Sequence, residues 1–237
     1  MSSTRLNKFI AHHAGLSRRE ADEAIAKGRV RVNEAIVSLG SQVQPTDIVT
    51  LNGVKITSTA SYTYLLMDKP IGYVCSRRQQ GDSPTIYSLL PPKYHALKTV
   101  GRLDRDSSGL IVLTDDGDLA HRMTHPSFVK TKVYEVELDH PLAPLHQQMI
   151  SDHGIELPDG NSQFSVTRIE PETSGKGKAE NGKSIRYEVT MTQGRNRQIR
   201  RTFAALGYTV TYLHRTHFGP YSLHDIKNNE PTLVEIR

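Results

Sequence analysis

The hydrophobic and polar positions at the start of the chain follow a helical period. Leu6 and Ile10 lie on one face of a first predicted helix, with charged positions on the opposite face. Ser17 followed by Glu20 is a capping box, which marks the start of a second helix. Gly28 suits the end of that helix, because glycine adopts the left-handed conformation that stops a helix. Two short helices are therefore predicted.

Short strands follow the helices. The alternating run at residues 29–32 and the material at 47–56, around Asn52-Gly53, predict strands joined by tight turns. Together with the helices they form a predicted module over residues 1–56. Residues 57–61 are small, polar and without periodicity, as in a linker. We therefore predict a second domain over residues 62–237.

Strand-like runs dominate the rest of the chain, with two or three helices between them. The predicted strands are at residues 62–67, 109–114, 132–138, 164–169, 185–192 and 208–213. Their order is too irregular for repeated strand-helix-strand units. The prediction is an α+β fold, with a mixed, largely antiparallel sheet and flanking helices. Residues 172–183, rich in Gly, Ser and Lys, predict a surface loop.

The charge balance favours a polyanionic partner. The chain has 30 Lys and Arg against 25 Asp and Glu, a net charge of +5, and a pI near 9.3. Its single cysteine, Cys75, excludes a disulfide framework and fits a reducing cytoplasm. No stretch approaches the ~20 apolar residues of a membrane span, so we expect a cytoplasmic protein without a membrane partner.

Basic residues of the first module occupy positions where positive charge is electrostatically unfavourable. Arg18 and Arg19 lie in the first turn of the second helix, where the helix dipole disfavours cations. An RNA phosphate bound there would offset that cost. The predicted RNA-binding surface comprises Arg5, Lys8, Arg18, Arg19, Lys27 and Arg29. The alternative is a charged face that is merely solvated. The segments at 5–8, 17–21 and 28–33 resemble the S4-like RNA-binding domain.

A second group of basic residues lies at the start of a predicted helix. Arg195, Arg197, Arg200 and Arg201 fall within seven residues, which is electrostatically unfavourable. On a helical projection, Arg197 and Arg201 lie away from the apolar stripe, so we expect them and Arg195 to bind phosphates. Arg200 lies at the edge of the stripe, half buried, and needs a carboxylate partner.

The loop at residues 99–110 offers that carboxylate. It precedes an apolar strand, where a rigid scaffold can position a catalytic group. Composition alone does not distinguish Asp104 from Asp106. The alternative is that both residues are loop caps and surface charges.

Four motifs together resemble the RsuA/RluB/RluE/RluF family of pseudouridine synthases, and they occur in the order found in the family. They are Lys-Pro-Ile-Gly at 69–72, Gly-Arg-Leu-Asp at 101–104, Lys-Val-Tyr at 132–134 and Gly-Arg-Asn-Arg-Gln-Ile-Arg-Arg at 194–201. With the S4-like module, the resemblance covers nearly the whole chain. It implies a small S4-like helix-helix-strand module followed by a pseudouridine synthase sheet.

The resemblance also implies the site residues. Asp104 would be the nucleophile, Tyr134 the aromatic residue beside the uracil, and Arg200 the partner of the aspartate. Arg102 would fill the space of the flipped base. The isomerisation involves no net oxidation or reduction, so neither a cofactor nor a metal is expected. His121 and His125 lack the glutamate of the zinc-protease pattern.

The expected partner is ribosomal RNA or a pre-ribosomal particle, and the expected enzyme is a monomer. We expect a uridine of large-subunit 23S RNA as the target, with small-subunit 16S RNA as the alternative. Selectivity is expected in the first module and in the loop at residues 77–84. The rival class is a non-catalytic RNA-binding or ribosome-assembly protein. A methyltransferase would need a nucleotide-cofactor motif, and the sequence shows none.

Overall fold

The chain forms two compact units, Met1–Thr63 and Tyr64–Arg237, in a computed structural model. The structure describes residues 3–57, 61–79, 81–169, 185–227 and 230–233. Part of the predicted linker at 57–61 and the whole predicted loop at 172–183 lie outside these residues. None of the helices in the described part of the chain is long and apolar enough to cross a membrane.

In its described residues, 3–57 and 61–63, the first unit contains two helices and six short strands. Its elements are β1 (Thr4–Arg5), α1 (Leu6–His13), α2 (Arg18–Ala26), β2 (Val30–Val32), β3 (Ala35–Ile36), β4 (Gln42–Val43), β5 (Val49–Leu51) and β6 (Val54–Ile56). Strands β3, β2, β5 and β6 form an antiparallel sheet in that order. Leu6, Ile10 and Ile25 of the helices are buried against Val30 and Val49 of this sheet.

Local sequence signals in the first unit are confirmed. The Ser17 side chain accepts from the N–H of Glu20, and the Glu20 carboxylate accepts from the N–H of Ser17. The β5–β6 hairpin turns through Asn52 and Gly53, at φ values of 51° and 78°. Two consecutive positive φ values make the turn whose twist matches a hairpin.

The second unit contains one large sheet with helices around it. Its strands are β7 (Tyr64–Lys69), β8 (Lys98–Val100), β9 (Ser108–Thr114), β10 (Lys132–Leu138), β11 (Ile155–Leu157), β12 (Gly160–Ser162), β13 (Ser165–Arg168), β14 (Arg186–Met191), β15 (Val210–Phe218), β16 (Tyr221–Ser222) and β17 (Thr232–Leu233). Its α-helices are α3 (Gly117–Thr124), α4 (Pro144–Gln148) and α5 (Gln198–Ala205). Shorter helical turns lie at Ile86–Leu89, Pro92–Tyr94, Met149–His153 and Leu223–Asp225.

The large sheet runs in the order β13-β14-β10-β15-β9-β7-β17, with β16 paired to β15 and β8 to β9. The β9–β15 pair is parallel, and the other pairs described in this sheet are antiparallel. The predicted mixed, largely antiparallel α+β fold is confirmed. The separate hairpin of β11 and β12 carries Asp159 in its turn.

Two strand boundaries differ from the prediction in ways that matter for function. Strand β7 extends to Lys69, so this lysine ends a buried strand. Strand β15 continues to Phe218 rather than stopping near residue 213. The polar residues His214 and Thr216 conceal that extension in the sequence, because they interrupt the apolar run.

Candidate active site

The loop between β8 and β9 presents Asp104 at one edge of the sheet. Leu103 is buried in the core, and its N–H points at the Cys75 Sγ atom from 3.5 Å. The N–H of Ser107 donates to the carbonyl oxygen of Asp104 at 3.1 Å, which closes a turn. Because its neighbours are anchored, Asp104 keeps a defined position while its side chain stays 30% exposed.

The Lys-Pro-Ile-Gly segment makes hydrogen bonds to the backbone of this loop. Lys69 is fully buried, and its ammonium donates to the carbonyl oxygens of Ser107 at 2.6 Å and Pro70 at 3.0 Å. The N–H of Gly72 donates to the carbonyl oxygen of Arg105 at 2.7 Å. Burial lowers the pKa of Lys69, and nearby negative groups, Asp104 among them, oppose that shift. The segment therefore fixes the backbone at Arg105 and Ser107, on both sides of Asp106.

The start of α5 contacts the same loop through two arginines. Arg197 is the N-cap residue in a left-handed conformation, φ 46°. Its guanidinium makes two hydrogen bonds of 2.9 Å to the Asp106 carboxylate and lies 3.8 Å from Asp104 Oδ2. Arg200 donates to the carbonyl oxygens of Val210 at 2.7 Å and Asp106 at 2.8 Å. Its Nε lies 3.3 Å from Asp106 Oδ2.

The observed contacts of Arg200 differ from the pairing that the resemblance implied. The expected partner was Asp104, and the structure places Arg200 on Asp106. Contacts between residues distant in the chain explain this difference. The backbone carbonyls of Val210 and Asp106 accept hydrogen bonds from the guanidinium, which places its Nε 3.3 Å from the Asp106 carboxylate. Among the described residues, the guanidinium that forms an ion pair with Asp104 is that of Arg197. Arg200 thus contacts the loop at Asp106, and its charge also interacts with that of Asp104.

The other predicted phosphate ligands of this segment also have partners within the protein. Arg201 makes a bidentate pair with Asp159, at 2.8 and 2.9 Å. Arg195 donates to the carbonyl oxygens of Asp159, Gly160 and Asn161. The hydrogen bond from Arg201 lowers the pKa of Asp159. Carboxylates in the β8–β9 loop and the β11–β12 turn therefore neutralise much of the arginine cluster.

The Asp106 ion pairs predict a pH dependence of stability. Hydrogen bonds from Arg197 hold the pKa of Asp106 below its usual value. Their contribution is present above the unfolded pKa of about 3.9 and is lost as the pH falls through the lower folded value. Because Asp106 is 46% exposed, we expect at most about 1 kcal/mol. Urea midpoints should fall more steeply in the wild type than in Asp106→Asn between about pH 5 and 2.

The matched control is Asp82→Asn, which changes an exposed aspartate in a surface loop. Its pH profile should follow that of the wild type. Parallel profiles for the wild type and Asp106→Asn would show that this ion pair adds no stability.

Tyr134 lies on β10 beside two cations of the sheet. It is 8% exposed and pairs directly with Arg215 of β15. Arg215 is 2% exposed. Lys132, two residues before Tyr134, donates to the carbonyl oxygens of three backbone groups at 3.1 to 3.3 Å. Burial, reinforced by the charge of Arg215, lowers the pKa of Lys132 to about 8.

A cleft of about 780 Å³ brings most of the predicted site residues together. Asp104, Tyr134 and Arg102 line it, as do Arg195 and Arg197. Arg200 and Arg201 are not among the described lining residues. The lining cations are Arg102, Lys130, Lys132, Arg195, Arg197 and Arg215, and Asp104 is the one described carboxylate among the lining residues. The cleft therefore suits a polyanion that presents an electrophilic centre to a carboxylate.

The first unit carries the other predicted RNA-binding residues. Five of them are exposed, and Lys8 is half buried. The Arg18 guanidinium donates to the Asn7 side chain at 3.2 Å, and Lys27 pairs with Glu23. Because the capping box occupies the N–H groups of Ser17 and Glu20, a phosphate at this helix start would rely on the arginine side chains.

Two site residues were missed by sequence reasoning. Arg215 lay beyond the predicted end of its strand, although its spacing from Leu213 places both side chains on one face. Asp159 carries no local signal, since only the folded hairpin brings it to α5. The role of Lys69 was visible only as part of a motif.

Two family models match the chain. A model described as RNA pseudouridylate synthase matches residues 63–205. An S4 domain model matches residues 4–49. The first match covers more than half of the chain and includes Asp104, Tyr134 and the arginine-rich segment. The two matches fall on the two units one after the other.

Relatives match over most of the chain. Ribosomal small subunit pseudouridine synthase A of Pasteurella multocida is 37% identical over 223 residues, which cover 93% of this chain and 91% of the relative. Ribosomal large subunit pseudouridine synthase B of Pseudomonas aeruginosa is 34% identical, covering 92% of this chain and 56% of the relative. A crystal structure of a pseudouridylate synthase, 30% identical, covers 98% of this chain and 96% of that one, with a TM-score of 0.64. The chain belongs to the RNA pseudouridine synthases, a family of isomerases, and carries an S4 domain.

Proposed function

We propose that this enzyme isomerises one uridine of ribosomal RNA to pseudouridine, with Asp104 as the nucleophile. The observation that carries the proposal is the isolation of Asp104 as the described carboxylate in a cleft lined by six cations. Phosphates are attracted to such a cleft, and the ionised carboxylate then lies where a bound nucleotide would present its sugar and base.

The reaction moves the uracil from nitrogen to carbon attachment. The N1–C1′ bond breaks, the base turns, and a C5–C1′ bond forms. C5 then loses its proton and N1 gains one, so the atoms balance. The uridine must first leave its stack, which costs a few kcal/mol that contacts to the RNA backbone must offset. Asp104 would act at C1′ or remove a sugar proton, and both routes need it ionised.

The neighbouring side chains support distinct steps of this scheme. Tyr134 offers an aromatic face for the uracil and a hydroxyl that can relay the C5 proton. Arg102, exposed at the cleft, would fill the space that the flipped base leaves. Arg197, whose guanidinium lies 3.8 Å from Asp104 Oδ2, would help to orient this carboxylate. Arg200 would act through Asp106, as a positioning residue for the catalytic loop.

The relatives support ribosomal RNA as the substrate and favour the small subunit. Small-subunit enzymes of Pasteurella multocida and Haemophilus influenzae are each 37% identical, and the matches cover 91% and 88% of their lengths. The matched large-subunit enzyme of Pseudomonas aeruginosa is covered over only 56% of its length. A large-subunit uridine, the target expected from the sequence, is the alternative. We therefore propose a small-subunit uridine as the first candidate.

Mapping pseudouridine in total RNA tests this function. RNA from cells with and without the intact gene is compared at single-nucleotide resolution. One ribosomal uridine, first sought in the small-subunit RNA, should lose its modification when the gene is absent. Loss at a large-subunit site would correct the subunit. Unchanged pseudouridine at every ribosomal site would instead favour the rival class, a non-catalytic RNA-binding or ribosome-assembly protein.

The S4 domain is expected to supply affinity rather than chemistry. Replacing Arg18 and Arg19 together by alanine should weaken RNA binding and reduce the salt dependence of log K by about 1 to 2 units of slope. The single-turnover rate at saturating RNA should change by less than about threefold. Filter binding at several salt concentrations measures the slope.

Lys55→Ala provides the control, because Lys55 is an exposed lysine of β6 outside the predicted surface. It should lower affinity less than the Arg18 and Arg19 changes do. Equal effects of both variants would mean that charge alone, rather than this helix start, attracts the RNA.

A further inference from the structure

Arg215 has a buried guanidinium whose hydrogen-bonding capacity is only partly used. It is 2% exposed, and its Nε donates to the carbonyl oxygen of Leu110 at 2.8 Å. The Nη2 atom is buried and has no hydrogen-bond partner among the residues that the structure describes. A buried donor without a partner is unfavourable in a folded protein, so it calls for an explanation.

The position of Arg215 is set by the sheet. It pairs with Gly109 of β9 on one side and with Tyr134 of β10 on the other. Directly paired residues point to the same face of a sheet, so Arg215 and Tyr134 face the same way. Both line the cleft that contains Asp104. The guanidinium thus lies in the cleft floor beside the aromatic residue proposed to contact the uracil.

A second cation reinforces the charge at this point. The ammonium of Lys132 lies 5.6 Å from the centroid of the Phe218 ring, and the Arg215 guanidinium lies 4.7 Å from the same centroid. The ammonium is already held by three carbonyl oxygens. Lys132 therefore contributes its charge from a fixed position, while the Nη2 atom of Arg215 keeps an N–H without a partner in the part of the chain that the structure describes.

The reaction creates the charge that such a site would stabilise. When the N1–C1′ bond breaks, its electron pair stays with the uracil, whose negative charge spreads over N1 and the two carbonyl oxygens. This holds whether Asp104 attacks C1′ or removes a sugar proton. The charge disappears when the C5–C1′ bond forms, C5 loses its proton and N1 gains one. Preorganised donors stabilise such a transient charge strongly in a site that excludes water.

We propose that Arg215 is a further catalytic residue, whose guanidinium donates to a carbonyl oxygen of the detached uracil and stabilises its negative charge. This inference rests on the proposed function. Loss of one such donor elsewhere lowers rates by about 10² to 10³. The neutral variant Arg215→Gln, which keeps a donor for Leu110, should therefore react about a hundredfold or more slowly in single turnover. Its affinity for RNA should change by less than about threefold.

RNA that carries 5-fluorouridine at the target position distinguishes a catalytic role of Arg215 from a purely structural one. Fluorine at C5 withdraws electrons and stabilises the uracil anion without altering its carbonyl oxygens. The loss caused by Arg215→Gln should be at least about tenfold smaller with RNA carrying 5-fluorouridine. Consumption of the target nucleoside, measured by mass spectrometry of digested RNA, does not depend on loss of a C5 proton. Arg122→Gln, an exposed arginine outside the cleft, serves as the control.

The outcomes distinguish this proposal from the proposed function itself. An equal loss with uridine and 5-fluorouridine, or a loss confined to RNA affinity, overturns the role of Arg215. If Arg215→Gln does not fold, Arg215→Lys replaces it. Its displaced charge should give a smaller loss with the same dependence on the substrate, and an equal loss with both RNAs overturns the proposal. Full activity of Asp104→Asn would instead overturn the proposed function.

Discussion

Purified Asp104→Asn should bind RNA with wild-type affinity and form pseudouridine at least about 10⁴-fold more slowly. Asparagine has nearly the shape of aspartate but lacks the negative charge and the nucleophilic oxygen. The loop should keep its conformation, because its anchors are Leu103, the Ser107 N–H and the Lys69 ammonium rather than the Asp104 carboxylate. Single-turnover conversion of an RNA fragment carrying the mapped uridine measures the rate.

The matched control is Asp106→Asn, which removes the neighbouring carboxylate of the same loop. It loses the pairs to Arg197 and Arg200 but leaves Asp104 in place. We expect a loss of about tenfold to a hundredfold, as for a residue that positions another. A larger loss in Asp106→Asn than in Asp104→Asn would exchange the roles of the two aspartates.

Gly109→Ala should destabilise the catalytic unit severely. Gly109 has a φ of +106°, and an added Cβ would lie 2.3 Å from the Arg215 carbonyl oxygen and 2.4 Å from its nitrogen. Backbone strain at such a φ costs about 1 to 3 kcal/mol. Overpacking costs about 1 to 3 kcal/mol more. The free energy of unfolding should therefore fall by about 2 to 6 kcal/mol, against a typical total of 5 to 15.

Urea denaturation measures this effect, with Gly117→Ala as the control. Gly117 begins α3, and an added Cβ there meets no atom within 4 Å. Its free energy of unfolding should change by less than about 0.5 kcal/mol. Equal stability of the two variants would show that β9 and β15 can separate locally, contrary to the close approach at Gly109.

The helix cap and the hairpin turn of the first unit could be predicted because they depend on interactions between residues close together in the sequence. The capping box at Ser17 and Glu20 and the hairpin turn at Asn52-Gly53 depend on residues no more than three positions apart. The mixed sheet followed from the irregular order of strands. The four motifs identified the family, and three of them, with Asp104 and Tyr134, line one cleft.

The ion pairs could not be predicted, since they join residues distant in the chain. Arg200 was assigned to Asp104, whereas its guanidinium is fixed by the Val210 carbonyl of a strand that the sequence placed only approximately. Arg201 was assigned to phosphate, and the turn of a hairpin that was not predicted brings Asp159 to it. Arg215 escaped notice for a related reason, because its strand was expected to end earlier.

These contacts change the expected roles of the arginine-rich segment. Its cations form a framework with Asp106 and Asp159 that shapes one wall of the cleft. RNA phosphates would meet Arg102 and Lys130 at the cleft, together with the exposed edges of Arg195 and Arg197. On the proposed function, positive charge would therefore serve both the fold and the attraction of RNA.

Complementation in cells tests the central claim most directly. Cells lacking the gene receive wild-type enzyme, Asp104→Asn or the control Asp152→Asn at equal protein levels, and pseudouridine is mapped at the affected ribosomal uridine. Asp152 is an exposed aspartate of the turn Met149–His153, outside the cleft. The wild type and Asp152→Asn should restore the modification, and Asp104→Asn should leave the position as uridine. Restoration by Asp104→Asn would contradict the assignment of Asp104 as the nucleophile.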